Sequence, residues 1–239
     1  MSSRGNANPA DDRKRGIIRW MLVSIIFLIL IALSLFLSAG TTSWPAAWAF
    51  LVLAAVIQLL DAIVLIPISP DLLGERSRPQ AGAKKWDQLL SRLMATIGPL
   101  IIWIVSGLDY RYAWSPEYPT WLVVISAVFV FGGGILVLWA MASNRFFIGM
   151  VRIQKERGHQ VISSGPYQYV RHPGYLGALF FTFFTPLMLG SIWALIPAGL
   201  TCGVVFIRTY LEDQTLWAEL PGYKAYTQDV SKKLIPGIW

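Results

Sequence analysis

The chain has 239 residues, of which 55% are hydrophobic and only 14% are charged, and its formal net charge is +7. Soluble domains carry about 25% charged residues, so this composition argues against a soluble enzyme, a disordered protein and a nucleic-acid-binding module. A single cysteine, Cys202, excludes an intrachain disulfide. Two histidines, His159 and His172, leave little for a metal site, and we expect no metal.

The first two apolar runs are long enough to cross a membrane. Residues 21–39 contain no charged side chain, and a helix rising about 1.5 Å per residue crosses a hydrocarbon core of about 30 Å over this length. The run is longer than the apolar core of a signal peptide, about 7–15 residues, so we expect an uncleaved helix. The second run, residues 44–66, begins with Trp44 and Pro45, and proline suits the first turn of a helix.

Two polar residues interrupt the second run. Gln58 and Asp61 are three positions apart and share one face of the predicted helix. They either line an entrance for a substrate from the membrane or lie near the interface and pair with a neighbour. We favour the structural interpretation, because Asp61 is close to the end of its run.

The remaining apolar runs complete a layout of about six spans. Residues 93–108 and 118–143 form the third and fourth, and the glycines at 132–134 indicate close helix packing. Residues 172–207 contain no formal charge over 36 positions, which suits two short helices joined by a turn near Gly190 and Ser191. We therefore predict an all-α polytopic membrane helix bundle, with four spans in residues 1–143. Residues 144–239 would form a C-terminal catalytic part with a loop, a helical hairpin and a tail.

Lysine and arginine are sorted between the two sides of this layout. Six spans place both termini on one side, and 19 of the 20 basic residues fall there, whereas only Arg111 falls on the other. Basic loops face the cytoplasm in membrane proteins, so we predict that both termini are inside and that any chemistry lies on the cytosolic face. We expect a multi-pass protein of a prokaryotic inner membrane, or of the endoplasmic reticulum in a eukaryote.

Residues 163–177 are the richest in polar and aromatic groups. Gly-Pro and His-Pro-Gly steps predict an ordered, turn-rich loop rather than a helix. The segment carries three tyrosines with Arg171 and His172, where the chain re-enters the membrane. These residues suit either an interfacial anchoring belt or a rigid binding pocket, and spacing alone does not name a ligand.

Arg208 and Glu212 lie just beyond the last apolar run. They are four positions apart and share one face of a helix. In one interpretation the pair is a surface ion pair that stabilises the helix by a few tenths of a kcal/mol. In the other, the guanidinium of Arg208 holds a carboxylate or phosphate of a ligand, and the carboxylate of Glu212 attracts a cation.

The C-terminal part resembles a known family. Residues 144–239 are similar to the isoprenylcysteine carboxyl methyltransferase family and to the wider group of membrane methyltransferases that includes phospholipid N-methyltransferases. The resemblance rests on the following pieces: Arg157-Gly158-His159-Gln160-Val161, Gly165-Pro166-Tyr167, Arg171-His172-Pro173 with Tyr175 and Gly177, Arg208 with Glu212-Asp213, Pro221-Gly222-Tyr223 with Tyr226, and Leu234-Ile235-Pro236.

The resemblance implies S-adenosylmethionine as cofactor, held in a cytosol-facing pocket of the C-terminal part. The implied cofactor-binding residues are Gln154, His159, Val161, Gly165, Tyr167, Tyr169, Arg171, His172, Pro173 and Tyr175. Arg208 and Glu212 match the family's essential arginine and glutamate. Family members often have a second glutamate after the first, and the aspartate at that position leaves the role of Asp213 in doubt.

These residue types suit methyl transfer to a lipophilic acceptor in or at the membrane. The transfer is an in-line displacement that depends on positioning and electrostatics, and a carboxylate acceptor is already ionised at pH 7. Carboxyl O-methylation is therefore the first expectation. The alternatives are phospholipid N-methylation, with Glu212 or His172 as base, an NADPH-dependent enzyme like the sterol reductases, and a non-enzymatic membrane protein.

Overall fold

The computed structural model describes residues 9–76 and 82–235. Within these ranges the chain forms nine α-helices and no strand. The helices are α1 (Pro9–Ala39), α2 (Pro45–Ile68), α3 (Pro70–Arg76), α4 (Lys85–Arg92), α5 (Gly98–Tyr112), α6 (Thr120–Ser143), α7 (Pro173–Leu189), α8 (Leu195–Glu219) and α9 (Tyr223–Asp229). A π-helical turn, Leu93–Ile97, joins α4 to α5. Pro236 and two of the basic residues counted above, Arg4 and Arg78, lie outside the described residues.

The predicted membrane bundle is confirmed. In the described ranges five helices are long and apolar enough to cross a membrane, namely α1, α2, the continuous α4–α5 segment, α6 and α8. The sixth, α7, is equally apolar but has only 17 residues. The protein is thus a multi-pass, all-α membrane protein, and the short helix packs extensively against α6.

Several helix boundaries differ from the predicted apolar runs. α1 begins at Pro9 instead of residue 21, the third span begins at Lys85, and α8 continues to Glu219 beyond residue 207. An established helix extends through polar residues at little cost, because each added residue gains a hydrogen bond. The predicted loop over residues 163–177 is wrong in its last part: Pro173 occupies the favoured first position of α7, so residues 173–177 are helical.

Glycines allow α6 and α7 to pack backbone against backbone. A Cβ atom on Gly133 would lie 2.6 Å from the carbonyl oxygen of Gly177, and one on Gly177 would lie 2.5 Å from that of Gly133. A Cβ atom on Gly134 would lie 2.6 Å from the side chain of Ile57 on α2, whereas one on Gly132 would have no atom within 4 Å. The prediction of close packing at residues 132–134 is therefore confirmed for two of the three glycines.

The α7–α8 turn lies where the sequence predicted it. Gly190 ends α7 with a φ of +79°, a left-handed conformation that suits glycine. The hydroxyl of Ser191 donates to the buried carboxylate of Asp109 at 2.5 Å, and that carboxylate also accepts from the hydroxyl of Ser115 at 2.6 Å. This end of the bundle is held by a satisfied polar cluster.

The opposite end of the bundle carries the polar chemistry, and we call it the cavity end. There α1 begins, α2, α6 and α8 end, and α3, α4, α9 and residues 144–172 lie over the helix ends. The predicted orientation, with both termini in the cytosol, stays a prediction.

The preferred, structural interpretation of Gln58 and Asp61 stays a prediction. Both side chains were expected to pair with a neighbour, yet Gln58 Oε1 and Asp61 Oδ1 are buried and accept no hydrogen bond from any described residue. Both lie on α2, whose last turns approach the cavity end. Buried acceptors without donors are costly, so these two atoms call for a functional reason.

Candidate active site

A cavity of about 250 Å³ opens among the helices at the cavity end. Its walls come from the π-helical turn, the last turns of α6, the first turns of α7 and the second half of α8. The extended stretches 146–152 and 159–162 complete them. The charged side chains among its lining residues are Arg76, Arg152, Arg171, Arg208 and Glu212. The cavity is therefore lined by more cations than anions.

Arg208 is held by a buried carboxylate from a distant helix. Its Nε donates to Asp87 Oδ1 at 2.6 Å and its Nη2 to Asp87 Oδ2 at 3.0 Å, and the two residues are 121 positions apart. Nη2 also donates to the carbonyl oxygen of Gly149 at 2.6 Å. Asp87 is fully buried and accepts the backbone N–H of Val151 at 2.6 Å as well. The pair fastens α4, α8 and residues 149–151 together.

Asp213 is the centre of a second buried network. Arg171 donates to it through Nε at 2.8 Å and Nη2 at 3.0 Å, Tyr223 donates its hydroxyl at 2.8 Å, and His172 Nε2 lies 3.2 Å away. Burial and the neighbouring Asp213 carboxylate raise the pKa of Tyr223, which stays a phenol. Asp213, whose role the sequence left in doubt, therefore organises the segment that carries Arg171 and His172.

The chain after α9 closes over this network. The backbone N–H groups of Arg171 and His172 each donate at 2.9 Å to the carbonyl oxygens of Lys232 and Lys233. Arg171 Nη1 adds bonds of 2.9 Å to the carbonyl oxygens of residues 230 and 231. Leu234, the next residue, is fully buried. Residues 230–234 thus hold the start of α7 in place.

Glu212 and Tyr175 meet inside the cavity. The hydroxyl of Tyr175 donates to Glu212 Oε2, and the Tyr175 ring lies under the Arg208 guanidinium, with 5.4 Å between Cζ and the ring centroid. The predicted helical spacing of Arg208 and Glu212 is correct, since both lie on α8. Their partners differ from the simple surface pair: Arg208 pairs with Asp87, and Glu212 bonds Tyr175.

His159 stands neutral at another wall of the cavity. Its Nδ1 accepts the backbone N–H of Gln154 at 3.3 Å, and its ring lies 4.6 Å from the ring of Phe146, centroid to centroid. Burial, with the charges of Arg157 and Arg152, lowers the pKa of His159 to about 4. Gln154 is fully buried and donates through Nε2 to the carbonyl oxygen of Phe146 at 2.8 Å.

Most of the predicted site residues share the cavity. Eight of the twelve line it: His159, Val161, Tyr167, Arg171, His172, Tyr175, Arg208 and Glu212. The other four lie outside its walls: Gln154 supports His159, Gly165 occupies a turn with φ +62°, Pro173 opens α7, and Tyr169 is 62% exposed near Trp139. All twelve assignments stay predictions.

Three residues that matter to the geometry were missed, namely Asp87, Asn144 and Arg76, and the role of a fourth, Asp213, was left in doubt. Asp87 and Asp213 hold the two arginines, Asn144 donates to the Tyr167 hydroxyl at 3.1 Å, and Arg76 enters the cavity from α3. One signal was available: Asp87 is the single acidic residue in the short helix Lys85–Arg92. The basic residue with which Asp87 pairs, however, lies 121 positions further along the chain, so the sequence alone does not identify it.

Together these features define a class of protein: a polytopic membrane protein with a buried, cation-rich cavity at one end of its bundle. The family model described as the isoprenylcysteine carboxyl methyltransferase (ICMT) family matches residues 124–218. The matched segment begins inside α6, earlier than the resemblance suggested, and contains Arg208 and Glu212. Residues 124–218 are thus similar to the isoprenylcysteine carboxyl methyltransferase family, and the resemblance of the C-terminal part is confirmed.

Two curated relatives support this assignment. The chain is 28% identical over 95 residues to protein-S-isoprenylcysteine O-methyltransferase of Xenopus laevis, covering 39% of this chain and 33% of that protein. It is 28% identical over 124 residues to the Rattus norvegicus protein of the same name, covering 50% of this chain and 41% of that protein. The match therefore spans less than half the length of either relative.

A solved structure shares the fold. A structure of the eukaryotic intramembrane Ras methyltransferase ICMT, solved without a monobody, superimposes with a TM-score of 0.51 at 18% identity. The alignment covers 95% of this chain and 98% of that chain. The likeness extends to the first spans, which the family model does not match, and it concerns the fold alone.

Proposed function

We propose that this protein is a membrane methyltransferase that uses S-adenosylmethionine to methylate the carboxylate of a lipophilic acid. One observation carries the proposal: within the family-matched segment, Arg208 and Glu212 face one buried cavity at the end of a membrane bundle. The division into residues 1–143 and a catalytic part, 144–239, also stays a proposal. The cavity takes Arg76, Met94 and Val137 from the first part.

The lining residues suit the proposed cofactor. Glu212 supplies a carboxylate for a cation, and His159, Tyr167, His172 and Tyr175 supply rings and polar atoms. These residues, with Val161, would hold the cofactor. When bound, it would supply an activated methyl group. No group of three or more potential metal ligands occurs among the described residues.

The chain itself would supply positioning and electrostatics. A carboxylate acceptor is ionised at pH 7 and needs no base, and the guanidinium groups around the cavity attract an anion. An amine acceptor would have to lose a proton to a base, whereas a carboxylate acceptor does not, and this difference favours O-methylation over phospholipid N-methylation. A lipophilic acceptor would enter from the bilayer. The cytosolic orientation of the cavity end, and a prokaryotic inner membrane as its location, are part of the proposal.

The first test is binding of the demethylated cofactor. We expect isothermal titration calorimetry of the protein in detergent micelles to detect S-adenosylhomocysteine, and labelled S-adenosylmethionine to methylate N-acetyl-S-farnesylcysteine but not phosphatidylethanolamine. NADPH should not bind. Folded protein that binds no S-adenosylhomocysteine would contradict the proposal. Methylation of phosphatidylethanolamine would show that the enzyme is an N-methyltransferase and not an O-methyltransferase.

A variant of Glu212 sharpens this test. The methyl donor carries a sulfonium charge that its demethylated product lacks, so a nearby carboxylate favours the donor. Glu212→Gln should weaken donor binding by about 10-fold, the effect of about 1.4 kcal/mol, and weaken product binding less. An equal loss of affinity for the donor and for the product would show that Glu212 does not recognise the charge of the donor.

A further inference from the structure

The donor groups of Arg208 are largely occupied within the protein. Nε and Nη2 form the two-pronged contact with Asp87, Nη2 also bonds Gly149, and Nη1 lies 3.6 Å from the sulfur of Met94. An arginine has five N–H donors, so Nη1 retains one strong donor for a ligand. Arg208 therefore cannot grip a carboxylate with two parallel hydrogen bonds while Asp87 holds it.

Arg76 presents a second guanidinium to the same cavity. It lies in the last turn of α3, half-buried, and lines the cavity together with Arg208. Its one hydrogen bond to a described residue is long, 3.4 Å from Nη1 to the carbonyl oxygen of Phe147, whose ring lies 5.4 Å from Cζ. No described carboxylate lies within 4.0 Å of it. Most of its donors thus have no acceptor among the residues that the structure describes.

The other arginines of the cavity are already paired. Arg171 is held by Asp213, and Arg152 contacts Glu156 at 2.6 Å and Glu75 at 3.6 Å. Among the described arginines that line the cavity, Arg76 differs from the others because no described carboxylate contacts it directly. A charge that is partly removed from water in this way is costly unless a ligand balances it.

Asp61 compensates the charge of Arg76 from a distance. Burial lowers the pKa of Arg76, and the charge of Asp61 acts in the opposite direction. Asp61 Oδ1 accepts no hydrogen bond from a described residue, and neither does Gln58 Oε1 one turn earlier. Asp61 therefore favours the charge of Arg76, and no hydrogen bond between the two side chains uses a donor of Arg76.

We propose that Arg76 is the principal binding residue for the carboxylate of the acceptor, with the remaining Nη1 donor of Arg208 as its second contact. This inference rests on the proposed function and adds the residue that selects acids over neutral analogues. The ligand class is a lipophilic carboxylate. Its binding is separable from methyl transfer, because a carboxylate can bind without the cofactor.

The test compares an acid with its neutral analogue. The affinities of N-acetyl-S-farnesylcysteine and its carboxamide are measured by calorimetry on the full chain in micelles. A hydrogen-bonded charge pair accounts for about 10- to 100-fold in affinity, so we expect Arg76→Gln to reduce the acid-to-amide ratio by about that factor. The affinity for S-adenosylhomocysteine should stay within twofold. A general loss of packing would weaken acid and amide alike.

A matched control removes an arginine from the neighbouring helix. Arg92 ends α4, is exposed and does not line the cavity, so Arg92→Gln should leave the acid-to-amide ratio unchanged. If Arg76→Gln does not fold, Arg76→Lys keeps the charge but loses the two-donor geometry, and we expect a ratio reduced several-fold. An unchanged ratio in the folded Arg76 variant overturns the inference, even if methylation is observed. A wild-type protein that binds the acid but no S-adenosylhomocysteine contradicts the proposed function alone.

Discussion

Replacing Asp87 by asparagine should destabilise the fold strongly although the side chain keeps its shape. Asp87 is fully buried and joins Arg208 through contacts of 2.6 and 3.0 Å. The substitution leaves the Arg208 guanidinium buried without its counter-charge. Breaking a buried ion pair from one side costs about 3–5 kcal/mol. For a chain of this size, 1 kcal/mol corresponds to about 2–4 °C in Tm, so we expect a fall on the order of 10 °C.

The assay is thermal unfolding in detergent micelles, followed by tryptophan fluorescence. The matched control is Asp71→Asn, since Asp71 contacts Arg13 at 3.2 Å and both side chains are exposed. An exposed pair contributes about 0–1 kcal/mol, so this variant should unfold close to the wild type. A common Tm for the two variants would refute the assignment of Asp87 as a buried counter-ion.

A double variant tests the same reasoning from the other side. Asp87→Asn combined with Arg208→Gln removes both charges, so the double variant should be more stable than the sum of the single losses predicts. Coupling between contacting residues amounts to about 0.5–3 kcal/mol. Strictly additive losses would show that the two side chains stabilise the fold independently, which contradicts the pairing.

Three further predictions address packing, pH and the site. Gly177→Ala should cost about 1–3 kcal/mol through overpacking, measured as Tm, whereas Gly132→Ala, in open space, should not destabilise. Because the pKa of His159 is lowered from 6.5 to about 4, the unfolded state gains a proton first, so Tm should fall as pH drops from 6.5 to 4; a wild-type slope in His159→Gln would contradict this. Tyr175→Phe removes the donor to Glu212 and should weaken S-adenosylmethionine binding by about 10-fold; an unchanged affinity would show that the bond does not orient Glu212.

The spans could be predicted because the bilayer imposes a local rule. A helix in hydrocarbon needs about 20 consecutive apolar residues, and such runs are visible without knowledge of the fold. The turn at Gly190 was equally local, because a left-handed residue between two apolar halves favours glycine. The helix ends were less predictable, since α1 and α8 extend through charged residues that the hydropathy of the runs excluded.

The resemblance located the cavity, but it did not identify the partners of its residues. Arg208 and Glu212 were recognised as a pair on one helix face, and eight of the twelve predicted site residues line one space. Their contacts, however, come from α4, α7 and the extended stretch 149–151. Short-range spacing cannot show such contacts, because the pairing of Arg208 with Asp87 depends on how whole helices pack.

Asp213 shows why the comparison of residue types was misleading. The aspartate in place of a second glutamate left the role of Asp213 in doubt, yet its shorter side chain accepts hydrogen bonds from Arg171 at 2.8 Å and from Tyr223 at 2.8 Å. A glutamate would place its carboxylate about one methylene further along and would have to displace these donors in a packed interior. The cavity thus uses two acidic residues of α8 differently: Asp213 orients the segment before α7, and Glu212 remains at the cavity wall, where a bound cation can reach it.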